Sequence, residues 1–242
     1  MNKITLCEDE RRFDNTAAWR IAGQIITKPD SVIGLSTGRT TKNMHLEVVR
    51  LWQSMAFDIS QVTFFGIDEV VNVSRCYKGA CYQMLHDELI DRLGLDDRQL
   101  LMLPTKSDNF AKACHDFKAG LEARGGIDLL MLGLGENGHL GFNQPGTSFR
   151  QEAWVTDMNP ELEERIRRET QAPSSLYLGG VTLGLKDIMH ARHIVLVAKG
   201  SNKADIVKKM LQGPVTTDVP ASILQLHTNC EFLLDKQAAA RL

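Results

Sequence analysis

Five short stretches of the chain are apolar almost without a break: SVIGLST (31–37), VTFFGID (62–68), IDLLMLG (127–133), HIVLVAK (193–199) and CEFLLD (230–235). Runs of four to seven apolar or β-branched residues with little alternation fit strands covered on both faces. Between them the apolar positions recur at helical spacing: Met44, Val48 and Leu51; Phe110, Ala113, Phe117 and Leu121; Ala204, Val207, Met210 and Leu211. Strands alternating with helices predict an α/β chain, a three-layer αβα sandwich whose mostly parallel, Rossmann-like sheet carries helices on both faces. Parallel crossovers are right-handed, so the loops that follow the strands collect along one edge, where ligands bind. No linker-like composition divides the sequence, which predicts a single domain over 1–242. The charged segment 152–175 reads as a surface lid or as a solvated helix.

Composition narrows the partners. The 242 residues are 43% hydrophobic, enough for a substantial core, and the formal net charge is −2. Without a long basic run, nucleic acid and anionic membrane surfaces are not expected as partners. A small anion needs only one well-placed cation and stays open. The cysteines, Cys7, Cys76, Cys81, Cys114 and Cys230, are odd in number and contain no C-x-x-C pair. That predicts a reduced, cytoplasmic protein without a disulfide framework or a metal site, with Cys114 and Cys230 in the core. The opening MNKITLCEDERRF turns acidic at once, and no apolar stretch reaches membrane length. The sequence leaves a homo-oligomer open.

The stretch IDLLMLGLGENGHLGFNQPG contains G-x-G-x-x-G at Gly133, Gly135 and Gly138. A dinucleotide site would require a helix opening at the third glycine and an acidic residue about 20 positions on. Gly141, Pro145 and Gly146 argue against that helix, and no suitable strand follows. The loop is therefore expected to present His139, with the side-chain amides of Asn143 and Gln144 nearby and its backbone open to a ligand. LSTGRTT (35–41) ends a strand and begins a helix, with Thr40 or Thr41 as N-cap. Its amides and hydroxyls suit a phosphate. KGSNKAD (199–205) repeats the arrangement, with Lys203 in the first helical turn, where an anion would offset its repulsion by the helix dipole. FFGIDEVV (64–71) sets Asp68 and Glu69 at a strand mouth, a setting for a general base.

Taken together, LSTGRTT, GIDEVV, GLGENGHLGFNQPGTSF, VTLGLKDIM, AKGSNKA and DVPASILQLH occur in the order and spacing of the glucosamine-6-phosphate deaminase/isomerase family. The chain resembles that family over nearly its whole length. LGLKDI and GENGHLG are most similar to the galactosamine-6-phosphate branch. The resemblance implies conversion of an amino-sugar 6-phosphate to a ketohexose 6-phosphate and ammonia, with no cofactor and no metal. It implies that Asp68 moves a proton between C2 and C1 and that His139 opens the pyranose ring. Ser36, Thr37, Gly38, Arg39 and Thr40 would hold the phosphate with Lys203 and a lid arginine, Arg167 or Arg168. Asn137 and Gln144 stand where other members often carry Asp and Glu, so His139 would lack a charged partner from its own loop. Two readings compete with the deaminase: a sugar-phosphate-binding protein with reduced catalysis, and a 6-phosphogluconolactonase-type hydrolase on the same fold.

Overall fold

A computed structural model describes residues 3–242. In chain order the strands are β1 (Lys3–Cys7), β2 (Val32–Leu35), β3 (Thr63–Gly66), β4 (Asp68–Val70), β5 (Leu100–Leu101), β6 (Leu129–Gly133), β7 (Trp154–Asp157), β8 (Gly179–Thr182), β9 (Ile194–Ala198) and β10 (Cys230–Asp235). The α-helices are α1 (Glu10–Thr27), α2 (Lys42–Met55), α3 (Cys81–Leu85), α4 (Asp91–Leu93), α5 (Phe110–Glu122), α6 (Pro160–Thr170), α7 (Leu185–Ile188) and α8 (Ala204–Gln212), with a π-helical stretch, His86–Ile90, joining α3 to α4.

Seven strands form one parallel sheet in the order β1-β10-β9-β6-β2-β3-β5. The five apolar runs are its central strands, and their lack of alternation has a direct cause. Ile33, Leu35, Leu129, Met131, Val195 and Val197 pack with α1, α2 and the 81–93 helix on one face. Val32, Leu130, Leu132, Ile194 and Leu196 pack with α5, α7 and α8 on the other. Each strand is buried twice, so both sets of positions are apolar. From β2 the chain steps outward through β3 to β5, then returns to the opposite side of β2 for β6 and steps outward again to β9 and β10. The reversal between β2 and β6 is the switch point at which open α/β sheets bind ligands.

A second, antiparallel sheet in the order β4-β8-β7 sits over this carboxyl edge, tied to it where Leu183 N–H donates to Ile67 O at 2.8 Å. The segment 152–175 holds both β7 and α6, so part of it is paired sheet rather than free lid. Ile166 of α6 packs with Val70, Phe142, Met158 and Leu178 in a small separate core. Cys114 and Cys230 are buried as expected, and so are Cys7 and Cys81. Among the described residues no helix is long and apolar enough to cross a membrane.

Candidate active site

The segments singled out in the sequence follow β9, β6, β2 and β3, which are neighbours in that order in the sheet. Their carboxyl ends therefore deliver residues 199–203, 134–146, 36–41 and 67–69 to one edge. No helix follows Gly138; residues 134–151 run as turns, as the glycines and Pro145 dictate.

His139 is held from two directions. Its Nδ1 lies 2.7 Å from Asn137 Oδ1, and its backbone N–H donates to the same oxygen at 3.2 Å. A backbone N–H can only donate, so that atom is an acceptor and Nδ1 carries the proton. Nε2 is left as the basic nitrogen. Asn137 Nδ2 donates in turn to Gln144 Oε1 at 3.0 Å. Gln144 thus reaches the imidazole only through Asn137. Gly135 lies flat against the ring: a Cβ there would stand 2.3 Å from His139 Cε1 and Nδ1. Burial lowers the His139 pKa below its ordinary value, the nearby Lys203 charge lowers it further, and Glu136 pushes back. The resting imidazole is neutral at physiological pH. Asn143, the other amide of the loop, is structural. It is fully buried, donates to Leu140 O and Leu183 O, and accepts from Trp154 Nε1 at 3.1 Å.

Asp68 heads β4 and is half-buried. Burial pushes its pKa up to about 7, with Glu69 adding to the rise and a hydrogen bond from the Cys81 thiol opposing it. Its Oδ2 faces the histidine loop: a Cβ on Gly141 would come within 3.4 Å of it and 2.5 Å of Thr182 Oγ1. Gly141 has φ +56°, so both its conformation and this close approach require glycine. Glu69, next along, is not a second base. Its carboxylate accepts the N–H groups of Val70, Cys81 and Tyr82 at 2.7–2.9 Å and anchors the start of α3.

The anion-binding candidates converge less uniformly. Arg39 and Lys203 feel each other's charge; burial lowers the Lys203 pKa and Arg39 lowers it further, against Glu136. Two cations with one opposing carboxylate leave room for an anion. Lys203 makes no ion pair among the described residues, whereas Lys199 is spent on Glu10 and Asp14. Thr41 occupies the N-cap position of α2 but does not cap it as expected: its hydroxyl donates back to Gly38 O at 3.3 Å. The first turn of a 14-residue helix therefore has no side-chain acceptor, the condition under which a bound anion is stabilised most. Gly38 makes the turn with φ +133°, and Thr37 and Thr40 flank it half-buried. Ser36 is committed elsewhere. Its hydroxyl donates to Met131 O and accepts from Gly133 N–H, both at 3.0 Å, splicing β2 to β6 at the switch point.

Arg167 is not brought to this cluster. Its guanidinium bonds the carbonyls of Pro173 and Leu176 and the Glu163 carboxylate, closing the turn after α6. Arg168, one position on, has no such ties among the described residues. Two residues outside the expected set join the site: Glu136, whose carboxylate accepts from Asn202 Nδ2 at 2.6 Å and so links the 134–139 and 199–203 loops, and Cys81, whose thiol lies 3.4 Å from Asp68 Oδ1. Glu136 stands inside the glycine motif and was visible there; its partner 66 positions away was not.

Fold and site together define an α/β protein with a carboxylate, Asp68, and a neutral histidine, His139, at the sheet's switch point, and with the cations Lys203 and Arg39 beside them. The family model for glucosamine-6-phosphate isomerases/6-phosphogluconolactonase matches residues 11–232, and the chain belongs to that family. A glucosamine-6-phosphate deaminase of Clostridium botulinum (strain Kyoto / Type A2) is 33% identical over 240 residues, 99% of this chain and 98% of that one. The glucosamine-6-phosphate deaminase of Clostridium novyi (strain NT) is 32% identical over 240 residues, 99% and 100% of the two chains. Among solved structures, a monomeric glucosamine-6-phosphate deaminase superposes with TM-score 0.91 at 28% identity, over 99% of this chain and 100% of its own. A 6-phosphogluconolactonase from Trypanosoma cruzi shares the fold, with TM-score 0.80 at 20% identity over 100% and 97% of the chains.

Proposed function

We propose that the protein is a hexosamine-6-phosphate deaminase/isomerase, acting on glucosamine 6-phosphate or galactosamine 6-phosphate. The observation that carries this reading is the convergence of Asp68 and His139 from two strand ends, with Lys203 and Arg39 beyond the histidine. The relatives named as deaminases support it. Proton abstraction beside a carbonyl needs the open-chain sugar. Neutral His139 takes the O1 hydroxyl proton on Nε2 and returns it to the ring oxygen as the C1–O5 bond breaks. Asp68 then removes the C2 proton while the C2 ammonium gives a proton to O1, forming the enolamine, and Asp68 delivers its proton to C1. The resulting C2 iminium adds water and releases ammonia. Phosphate held at residues 37–40 and Lys203 supplies binding energy remote from the reacting carbons. Arg168, whose guanidinium has no ties like those of Arg167 among the described residues, is the lid residue proposed to reach the phosphate.

The test is ammonia release from both hexosamine 6-phosphates, with a sugar lactone 6-phosphate as the third substrate. Acid release from the lactone alone would select the hydrolase reading; binding without turnover would select the binding protein. Lys203→Ala should weaken binding of the phosphorylated sugar by roughly 1.5–3 kcal/mol, the scale of a charge-assisted hydrogen bond, or roughly 10–150-fold. Calorimetry on the dephosphorylated amino sugar should register no change. Equal losses on both ligands would make Lys203 structural.

Gln144→Glu keeps the acceptor for Asn137 Nδ2 and adds a charge one amide away from the imidazole. It should raise the His139 pKa and increase turnover of closed-ring substrate. Proton NMR of the histidine ring against pH, alongside ammonia release, checks both. Fast turnover in the parent that drops in the variant would show the neutral relay to be the working form.

A further inference from the structure

A base must be aimed as well as basic, and Asp68 sits on a strand of three residues with one oxygen over the Gly141 turn. Its other oxygen has a side-chain hydrogen-bond partner: Cys81 Sγ lies 3.4 Å from Oδ1, inside hydrogen-bond range for sulfur. The cysteine is itself fixed. It begins α3, its backbone N–H is bound by Glu69 at 2.9 Å, and its side chain is buried. Thr37, in the loop after β2, lies close enough to the same sulfur to act on it electrostatically. The thiol is thus wedged between the residue read as base and the loop read as phosphate-binding, from a helix that belongs to neither.

We propose that Cys81 is a positioning residue, its S–H aiming the Asp68 carboxylate while Glu69 fixes the backbone from which it reaches. The proposal rests on the reading of Asp68 as base. Burial and the two neighbouring carboxylates, Asp68 and Glu69, raise the thiol pKa well above 9. The sulfur therefore keeps its proton and is a donor across the working pH range, not a nucleophile. The charged or titratable groups facing Asp68 are Glu69 from its own strand and Cys81 from α3. On the other sides stand the Gly141 backbone and the Thr182 hydroxyl, which carry no charge. Arg75 acts on Glu69, one residue further away. Because a donor to the ionised form lowers a carboxyl pKa, removing the thiol and replacing it by a stronger donor have opposite signs.

The experiment compares the parent with Cys81→Ala and Cys81→Ser. The Asp68 carboxyl carbon, isotopically labelled, is titrated by NMR in ligand-free protein, and the pH profile of C2 hydrogen exchange is recorded beside it. Cys81→Ala should raise the Asp68 midpoint by about 0.5–1 pH unit and slow exchange below pH 7 by about 3–10-fold. Cys81→Ser should return the midpoint to the parent value or below it and restore exchange. Equal midpoints in all three proteins, or a serine variant displaced as far as the alanine one, would overturn the proposal in favour of simple space-filling. If the alanine variant does not fold, the serine variant alone decides: a midpoint at or below the parent's supports the proposal and one above it rejects it. The titration needs no turnover, so midpoints that move as expected in a protein that releases no ammonia would sustain the geometry and reject the deaminase reading.

Discussion

Asp68→Asn abolishes exchange of the substrate C2 hydrogen with solvent, and with it ammonia release, while hexosamine 6-phosphate still binds. The expected loss is about 10²–10⁴-fold, the range for a removed general base. The substitution keeps the size of the side chain and can still accept from Cys81, so the site should keep its shape. The pH dependence of the parent follows from the same residue. With its pKa pushed up to about 7 by burial, Asp68 is protonated and inert as a base below that pH. The kcat/KM value should rise about tenfold per unit up to about 7 and then level. His139 does not set this limb, because its own pKa is lowered, not raised, and the imidazole is already neutral before Asp68 ionises. In Asp68→Asn the residual activity should lose that limb. A variant that exchanges and turns over at the parental rate would remove Asp68 from the chemistry, and a parent whose profile is flat between pH 5.5 and 7.5 would remove burial as the cause of its tuning.

How much of this was readable in advance depended on whether the contact responsible was local in sequence. The five central strands were legible because burial on two faces imprints an unbroken apolar run, as Val32 and Ile33 show by packing into opposite layers. Their order placed four loops on one edge, and so Asp68, His139 and Lys203 could be named together. β1 was missed because it is an edge strand with its apolar side chains reversed: Ile4 and Leu6 are 47% and 60% exposed. The antiparallel sheet was missed because β4 pairs with β8, more than 100 residues later, and strands of three or four residues leave almost no pattern. α1 could have been found. Phe13, Ala17, Ile21 and Ile25 recur at four-residue spacing, but much of its buried face is alanine. Within the site, the family resemblance makes Gln144 the counterpart of a residue that supports His139, yet Asn137 stands between the two. The family resemblance places Ser36 and a lid arginine, Arg167 or Arg168, on the phosphate, while the Ser36 hydroxyl is held by backbone groups and the Arg167 guanidinium by backbone carbonyls and the Glu163 carboxylate. Residue type and spacing identify what chemistry a loop can do; which polar groups remain free to do it is decided by tertiary hydrogen bonds.

The second large effect concerns Gly135, a residue with no functional group. The backbone there does not demand glycine, since its φ is not among the positive values. The ring of His139 excludes a side chain, with a Cβ falling 2.3 Å from two of its atoms. Gly135→Ala must therefore push the imidazole aside and stretch or break its 2.7 Å contact with Asn137 Oδ1. A misplacement on the order of 1 Å at a reacting group costs about 10²-fold, and that is the loss expected for turnover of closed pyranose substrate. The loss should be selective. Asp68 is not among the atoms nearest a Cβ on Gly135, so C2 exchange on substrate supplied in open-chain form should change far less, and affinity for the sugar phosphate should stay near the parental value. Nitrogen NMR of the labelled imidazole should show the Nδ1–H tautomer in the parent and a mixture in the variant. Exchange and ring-opening falling by the same factor would mean that the variant has disturbed the whole loop. Closed-ring turnover at the parental rate with a demonstrably displaced ring would mean that His139 does not open the sugar.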